Sequence, residues 1–181
     1  MTKDSVRRFV LSERQSLETS FSEEMSEIIC NKFYKDFSHC CSFLMYWPIK
    51  SEVNILPLIE KFHAEEKRVY LPAVKGGNII FKKFEGISRM IKGSFNILEP
   101  QGEPLAENAD VIVVPAVAYD YSCNRLGYGK GFYDRFMADG YSSVKVGIIY
   151  DFQLVETVYP ESHDKPVDVI ITEKRVVRRN G

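Results

Sequence analysis

The sequence predicts an α/β fold, a single domain over residues 1–181 with a largely parallel central sheet flanked by helices. Two observations predict it. Strand-length apolar runs take turns with helical stripes along the chain, the order from which parallel sheets are built. In addition, Val111-Ile112-Val113-Val114 is continuous and β-branched, as in a strand buried on both faces. No repeat, low-complexity segment or linker divides the chain, and 181 residues suffice for one real core.

The elements follow in order. The first 40 residues read as two helices. Val6, Phe9 and Val10 share one face of the first. In the second, Met25, Ile28, Ile29 and Phe33 recur at helical spacing, and Ser20 with Glu23 resembles a capping box. Phe43-Leu44-Met45-Tyr46-Trp47 is a short strand-length run. Asn54 is the expected N-cap of a helix carrying Ile55, Leu58, Ile59 and Phe62. Val69-Tyr70-Leu71 is again strand-like, and Ile79-Ile80-Phe81 with Phe84 suggests its hairpin partner. After the Val111 strand and a long polar loop, Phe132, Tyr133, Phe136 and Met137 fit one helix face. Val144 to Tyr150 is the next expected strand and Val169-Ile170-Ile171 the last. Four basic residues in Lys174 to Arg179 read as a solvated terminal strand or tail. Sheets of this kind bind ligands beyond the carboxyl ends of their strands, and the loop after Val114 occupies that position.

Composition narrows the function. Apolar residues make up 45 % and charged residues 27 %, which argues against disorder and membrane insertion. A net charge of -1 gives no electrostatic reason to expect a nucleic-acid or membrane partner. The N-terminus opens with Lys3, Asp4, Arg7 and Arg8, without a signal peptide's apolar stretch, and Val111 to Tyr119 is too short to span a bilayer. Cys30, Cys40, Cys41 and Cys123 suit neither a disulfide framework nor a zinc site, so reduced thiols are expected. A monomeric cytoplasmic protein is the expectation.

Residues 125–133 carry the strongest chemical signal. Gly127, Gly129 and Gly131 stand at alternate positions, a spacing that lets backbone amides approach an anion closely. A helix beginning near Gly131 adds the partial positive charge of its N-terminus, and Arg125 and Lys130 add two full charges. Arg offers a planar fork and Lys a compact point charge, a pairing suited to a polyphosphate. No Ser or Thr follows Lys130, so this is no Walker loop, and the glycine spacing misses the dinucleotide fingerprint. By spacing alone, the glycines serve equally as a tight turn. Asp134, in the first helical turn, either favours the helix dipole or holds Mg²⁺. Asp164 in isolation reads as a turn residue.

The stretch RLGYGKGFYDRF, preceded by VPAVAYD, resembles the signature of the 5-formyltetrahydrofolate cyclo-ligase (methenyltetrahydrofolate synthetase) family. Further similarities occur in the family's order. They are Lys3-Asp4-Ser5-Val6-Arg7, Ser51-Glu52-Val53 with Pro57-Leu58-Ile59, Tyr70-Leu71-Pro72, Ile97-Leu98-Glu99-Pro100 and His163-Asp164-Lys165-Pro166-Val167-Asp168.

The resemblance implies a fold similar to some sugar isomerases and CoA transferases. It also implies ATP- and Mg²⁺-dependent cyclisation of 5-formyltetrahydrofolate to 5,10-methenyltetrahydrofolate, with release of ADP and phosphate. By the same resemblance, Lys3, Arg7 and the run Arg125, Leu126, Gly127, Tyr128, Gly129, Lys130, Gly131, Phe132 and Tyr133 would bind ATP. Arg125 and Lys130 would be catalytic, and Asp134 and Asp164 the Mg²⁺ ligands. Trp47 and Glu52 would touch the folate together with Tyr128 to Phe132. Alone, Trp47 fits core packing equally well, and Lys3 with Arg7 fits a solvated helix face. Phe132 stands where the family commonly has Tyr. Ala116, Cys123 and Asn96 replace frequent glycines. Two rival readings are a non-catalytic folate or nucleotide binder and a transferase or isomerase on the same fold.

Overall fold

The computed structural model describes residues 2–138, 142–162 and 164–179. His163 of the His-Asp-Lys-Pro-Val-Asp segment lies outside them. Helices α1 (Lys3–Gln15) and α2 (Thr19–Phe37) precede β1 (Ser42–Leu44) and α3 (Leu56–Ala64). The hairpin β2 (Arg68–Lys75) and β3 (Asn78–Lys83) turns at Gly76 and Gly77, whose φ angles of 58° and 78° suit a tight hairpin turn. A short pair, β4 (Met90–Lys92) and β5 (Leu98–Pro100), leads to β6 (Val111–Val114), β7 (Ala118–Asp120) and β8 (Arg125–Leu126). Then come α4 (Phe132–Ala138), β9 (Val144–Ile148), β10 (Leu154–Val155), β11 (Val169–Ile171) and β12 (Val176–Arg178).

The main sheet has seven strands in the order β12-β11-β9-β6-β1-β2-β3. The five inner strands are mutually parallel, and the edge strands β3 and β12 run antiparallel to their neighbours. Its α/β class is the one the alternation predicts. The continuous Val111–Val114 run is buried along its whole length because both faces are covered. Phe43, Val111 and Val113 pack against Phe33 of α2 and Phe62 of α3, whereas Leu44, Ile112 and Val114 pack on the other side with Met137 of α4. A third cluster joins Val6 and Val10 of α1 to Ala118, Leu126 and Val158, beside the small sheet β10-β7-β8.

Several local expectations differ. Phe9 is exposed; the stripe that α1 buries is Val6, Val10 and Arg14, four residues apart. Ser20 is no cap, because α2 begins one residue earlier, at Thr19 after Glu18, without a side-chain cap. The N-cap of α3 is Ile55, although Asn54 Oδ1 accepts from the Leu56 amide at 3.2 Å. The first strand stops at Leu44, where the chain leaves the sheet and Tyr46 and Trp47 enter the cavity wall, and the Val144 strand stops at Ile148, just before the short turn Asp151–Gln153. Val169–Ile171 is not the last strand: Val176–Arg178 returns antiparallel on β11, largely exposed, as the terminal-strand reading of Lys174 to Arg179 allowed.

Gly147 shows how tightly the sheet centre is filled. A Cβ there would stand 2.6 Å from the ring of Tyr119, a wholly buried side chain whose hydroxyl donates to the Val114 carbonyl at 2.8 Å. Gly147→Ala is expected to cost about 1 to 3 kcal/mol by overpacking, measured as denaturant midpoint at unchanged m-value.

Candidate functional site

A cavity of about 810 Å³ opens at the carboxyl ends of the parallel strands. Beyond β1 the chain supplies Tyr46 and Trp47, and beyond β6 it supplies Pro115. The connections of β1 and β6 depart to opposite sides of the sheet, the switch point where such folds bind ligands. All fifteen residues named from the sequence line this cavity: Lys3, Arg7, Trp47, Glu52, the ten from Arg125 to Asp134, and Asp164.

The glycine loop owes its shape to two of its glycines. Gly129 and Gly131 have φ angles of 90° and 65°, a region costly for other residues. Gly127 serves close packing instead, since a Cβ there would come within 2.8 Å of Arg125 Nη1. Its carbonyl accepts from Arg7 Nε at 3.0 Å, which ties α1 to the loop. The loop does not run straight from β6 to a helix. The β7–β8 hairpin intervenes, with Cys123 at φ 64° in its turn. Cys123 and Asn96 (φ 60°) are two positions where the family frequently has glycine, and both adopt the left-handed backbone that glycine favours. The helix behind the loop, α4, has only seven residues, so side-chain charges and loop amides outweigh any macrodipole.

Opposite charges are paired around the rim. Lys3 Nζ meets Asp164 Oδ2 at 2.7 Å and Glu161 Oε1 at 2.9 Å. Burial alone would lower the Lys3 pKa, but hydrogen bonds to Asp164 and Glu161 outweigh it and raise it. Arg7 pairs with Asp4. Arg125, with its side chain 6 % exposed, donates from Nη2 to Asp134 Oδ2 at 2.5 Å and from Nη1 to the Pro115 carbonyl at 3.3 Å. Asp134 is therefore no surface dipole residue; it neutralises a buried guanidinium. Lys130 is exposed, with its ammonium 3.4 Å from the centre of the Phe95 ring.

The other wall is aromatic and carries one carboxylate. Glu52 Oε1 accepts from the Tyr128 hydroxyl at 2.6 Å and Oε2 from the Ile49 amide at 3.0 Å. Burial pushes the Glu52 carboxyl above the ordinary carboxylate range, against these hydrogen bonds and the charges of Arg14 and Lys50, which pull it down. Trp47 is half-buried beside it in the cavity wall.

Two residues of this region escape a reading of the sequence. Phe95, 60 % exposed at φ 57°, lines the cavity from the turn between β4 and β5. Arg14 is 1 % exposed and donates from Nη2 to the Tyr128 hydroxyl at 2.7 Å. Its signal is a charge placed four residues beyond Val10 on an apolar stripe.

The profile of the 5-formyltetrahydrofolate cyclo-ligase family matches residues 1–173. The chain belongs to this family. A 5-formyltetrahydrofolate cyclo-ligase from Escherichia coli K12 is 36 % identical over 135 residues, covering 69 % of this chain and 74 % of the relative. The solution structure of the Aquifex aeolicus 5,10-methenyltetrahydrofolate synthetase superposes with a TM-score of 0.88 at 36 % identity, covering 100 % of this chain and 95 % of that one. A Mycoplasma pneumoniae 5,10-methenyltetrahydrofolate synthetase gives a TM-score of 0.79 at 25 % identity, covering 96 % and 99 %. Among the described residues, no helix is long and apolar enough to cross a membrane.

Proposed function

We propose that the chain is an enzyme, an ATP-dependent 5-formyltetrahydrofolate cyclo-ligase. The observation that carries this reading, beyond family membership, is a single cavity with two dissimilar walls. One wall is the basic glycine loop with Lys3 and Arg7; the other holds Trp47, Phe95 and a half-buried carboxylate. At about 810 Å³ the cavity lies in the upper range for small-molecule sites, with room for two substrates in contact.

Each wall suits one substrate. Amides near Gly129 and Gly131, with Lys3, Arg7 and Lys130, would hold the triphosphate. Trp47 and Phe95 offer flat faces for a pterin, and Glu52 accepts N–H bonds from its ring. Chemically, an N-formyl group is a poor electrophile and its oxygen a poor leaving group. Transfer of the γ-phosphoryl group to that oxygen releases ADP and leaves an activated carbon. The neighbouring anilino N–H attacks that carbon and gives up its proton, which leaves with the phosphate as the carbon–oxygen bond breaks. Positioning and charge neutralisation suffice, and no side-chain nucleophile is needed. Lys130, between the two walls, follows the charge that moves from phosphate to formyl oxygen.

Mg²⁺ fits the donor set. Asp134 and Asp164 are hard oxygen ligands on the cavity wall, and each already holds a side-chain cation, Arg125 and Lys3 respectively. Among the described residues no group of three or more His, Cys, Asp or Glu side chains could hold a metal alone. That suits an ion that keeps several waters and shares phosphate oxygens. Bound there, it would neutralise triphosphate charge and orient the γ-phosphate. Four unpaired cysteines fit the reducing cytoplasm, where we place the protein, and one copy supplies both walls, as a monomer requires.

The test mixes purified protein with 5-formyltetrahydrofolate, ATP and Mg²⁺ and follows the near-ultraviolet absorbance of the methenyl product. An ATP-dependent rise is expected. Folded protein that gives no such rise would overturn the assignment.

A further inference from the structure

We propose that Arg14 is a positioning residue for folate binding: through the Tyr128 hydroxyl it orients the Glu52 carboxylate in the cavity wall and stabilises its negative charge. This rests on the cyclo-ligase reading and adds to it a residue that does not line the folate cavity.

The argument begins in α1. Val6, Val10 and Arg14 form the buried stripe of that helix, and the first two pack on Val117, Ala118 and Leu126. An arginine in the third place, 1 % exposed, is costly unless its charge is compensated. Nη2 donates to the Tyr128 hydroxyl at 2.7 Å, and that hydroxyl donates to Glu52 Oε1 at 2.6 Å.

The direction of this chain is forced. A guanidinium only donates, so the Tyr128 oxygen must accept and its own proton must point to Glu52. Hydrogen bonds in such a sequence polarise one another, and both ends are charged. The guanidinium carbon also lies 5.7 Å from the Tyr128 ring centre. Among the described residues, buried Arg14 Nε has no hydrogen-bond partner, and Arg14 lines a second cavity of about 10 Å³ with Glu52, Tyr46 and Gln153, the size of one water position. One helix thus reaches both substrates, through Lys3 and Arg7 at its start and Arg14 near its end.

Ionised, Glu52 offers pterin N–H groups two acceptor oxygens and a negative charge; protonated, it keeps only a weaker acceptor. The groups facing it are Arg14 from α1, Lys50 from its own loop, Tyr46 beyond β1, and Tyr128 and Tyr133 from the glycine loop and α4. Burial raises its pKa and Arg14 opposes that rise. Removing the Arg14 charge must raise it further. Folate binding, lost as pH falls through that pKa, would then be lost at higher pH.

The experiment measures the dissociation constant of 5-formyltetrahydrofolate against pH without ATP, by fluorescence of Trp47, the only tryptophan. Arg14→Met is expected to weaken binding about tenfold near neutral pH, as for a lost charge-assisted hydrogen bond. Its acid limb should move to higher pH, because the charge that opposes the effect of burial is gone. ATP binding should not change, and Arg14→Lys should recover part of the limb. Tyr128→Phe should reproduce the shift, and the double variant should exceed neither single one. Tyr128 is 38 % exposed, so Tyr128→Phe decides the matter if Arg14→Met does not fold. Variants that melt early but keep the wild-type acid limb would reduce Arg14 to a core residue and overturn the proposal. Wild-type protein that binds no folate at any pH would instead overturn the cyclo-ligase reading, and this inference with it.

Discussion

Lys130→Met is expected to lower turnover about 10²- to 10³-fold, the usual loss when an electrostatic contact that strengthens in the transition state is removed. Methionine keeps most of the side-chain length and deletes only the charge. Lys130 sits between Gly129 and Gly131 with its ammonium over Phe95 at 3.4 Å, so that charge stays on the cavity wall. The residue is exposed, and folding stability should shift by no more than about 0.5 kcal/mol. The measurement is single-turnover formation of the methenyl product at saturating ATP and folate, beside a thermal melt. A large fall in rate with an unchanged melt supports the assigned role. Turnover close to wild type would leave Lys130 as a solvated loop residue that happens to rest on an aromatic ring.

What the sequence carried, and what it did not, follows from how each feature is encoded. Parallel strands buried on both faces write themselves as unbroken apolar runs, so Val111–Val114 and Val169–Ile171 were readable directly. The hairpin β7–β8 was not. Strands of three and two residues have no period to detect, and the segment reads as one polar loop. Within the site, the glycine loop is local in sequence, and its basic residues and glycines together pointed to anion binding, the reading proposed above. Lys3, Arg7, Trp47, Glu52 and Asp164 are scattered, and only the family resemblance pointed to them. Tertiary pairings were out of reach altogether. Arg14 meets Tyr128 across 114 positions, and Tyr128 meets Glu52 across 76. Arg125 and Asp134 are nine residues apart, yet their contact depends on the intervening loop folding back. From the sequence Asp134 therefore read either as a helix-dipole residue worth roughly 0.3 to 1 kcal/mol or as a Mg²⁺ ligand, and its pairing with Arg125 was in neither reading.

That pairing changes what Asp134→Asn should do. Arg125 is 6 % exposed and Asp134 22 %, so the substitution leaves a nearly buried guanidinium facing a neutral amide. Breaking a fully buried pair costs about 3 to 5 kcal/mol; with Asp134 partly solvated and Asn still able to accept one bond, about 2 to 3 kcal/mol is expected. For a chain of this size that lowers Tm by about 5 to 10 °C. Asp164→Asn should be milder, within about 1 kcal/mol, because Lys3 is partly exposed and keeps Glu161 at 2.9 Å. Activity should follow a different order. Both substitutions should reduce turnover strongly and raise the Mg²⁺ concentration for half-maximal rate, measured well below each Tm. If both carboxylates serve one ion, as proposed, the double variant should lose less than the two separate losses combined. A compensating change separates the two roles of Asp134. Removing both partners, Asp134→Asn with Arg125→Met, should regain stability, since no unpaired charge then remains buried. It should not regain the wild-type Mg²⁺ requirement. If the stabilised pair recovers normal metal dependence, or if the single Asn variants melt early with metal dependence unaltered, Asp134 only neutralises Arg125 and the metal lies elsewhere.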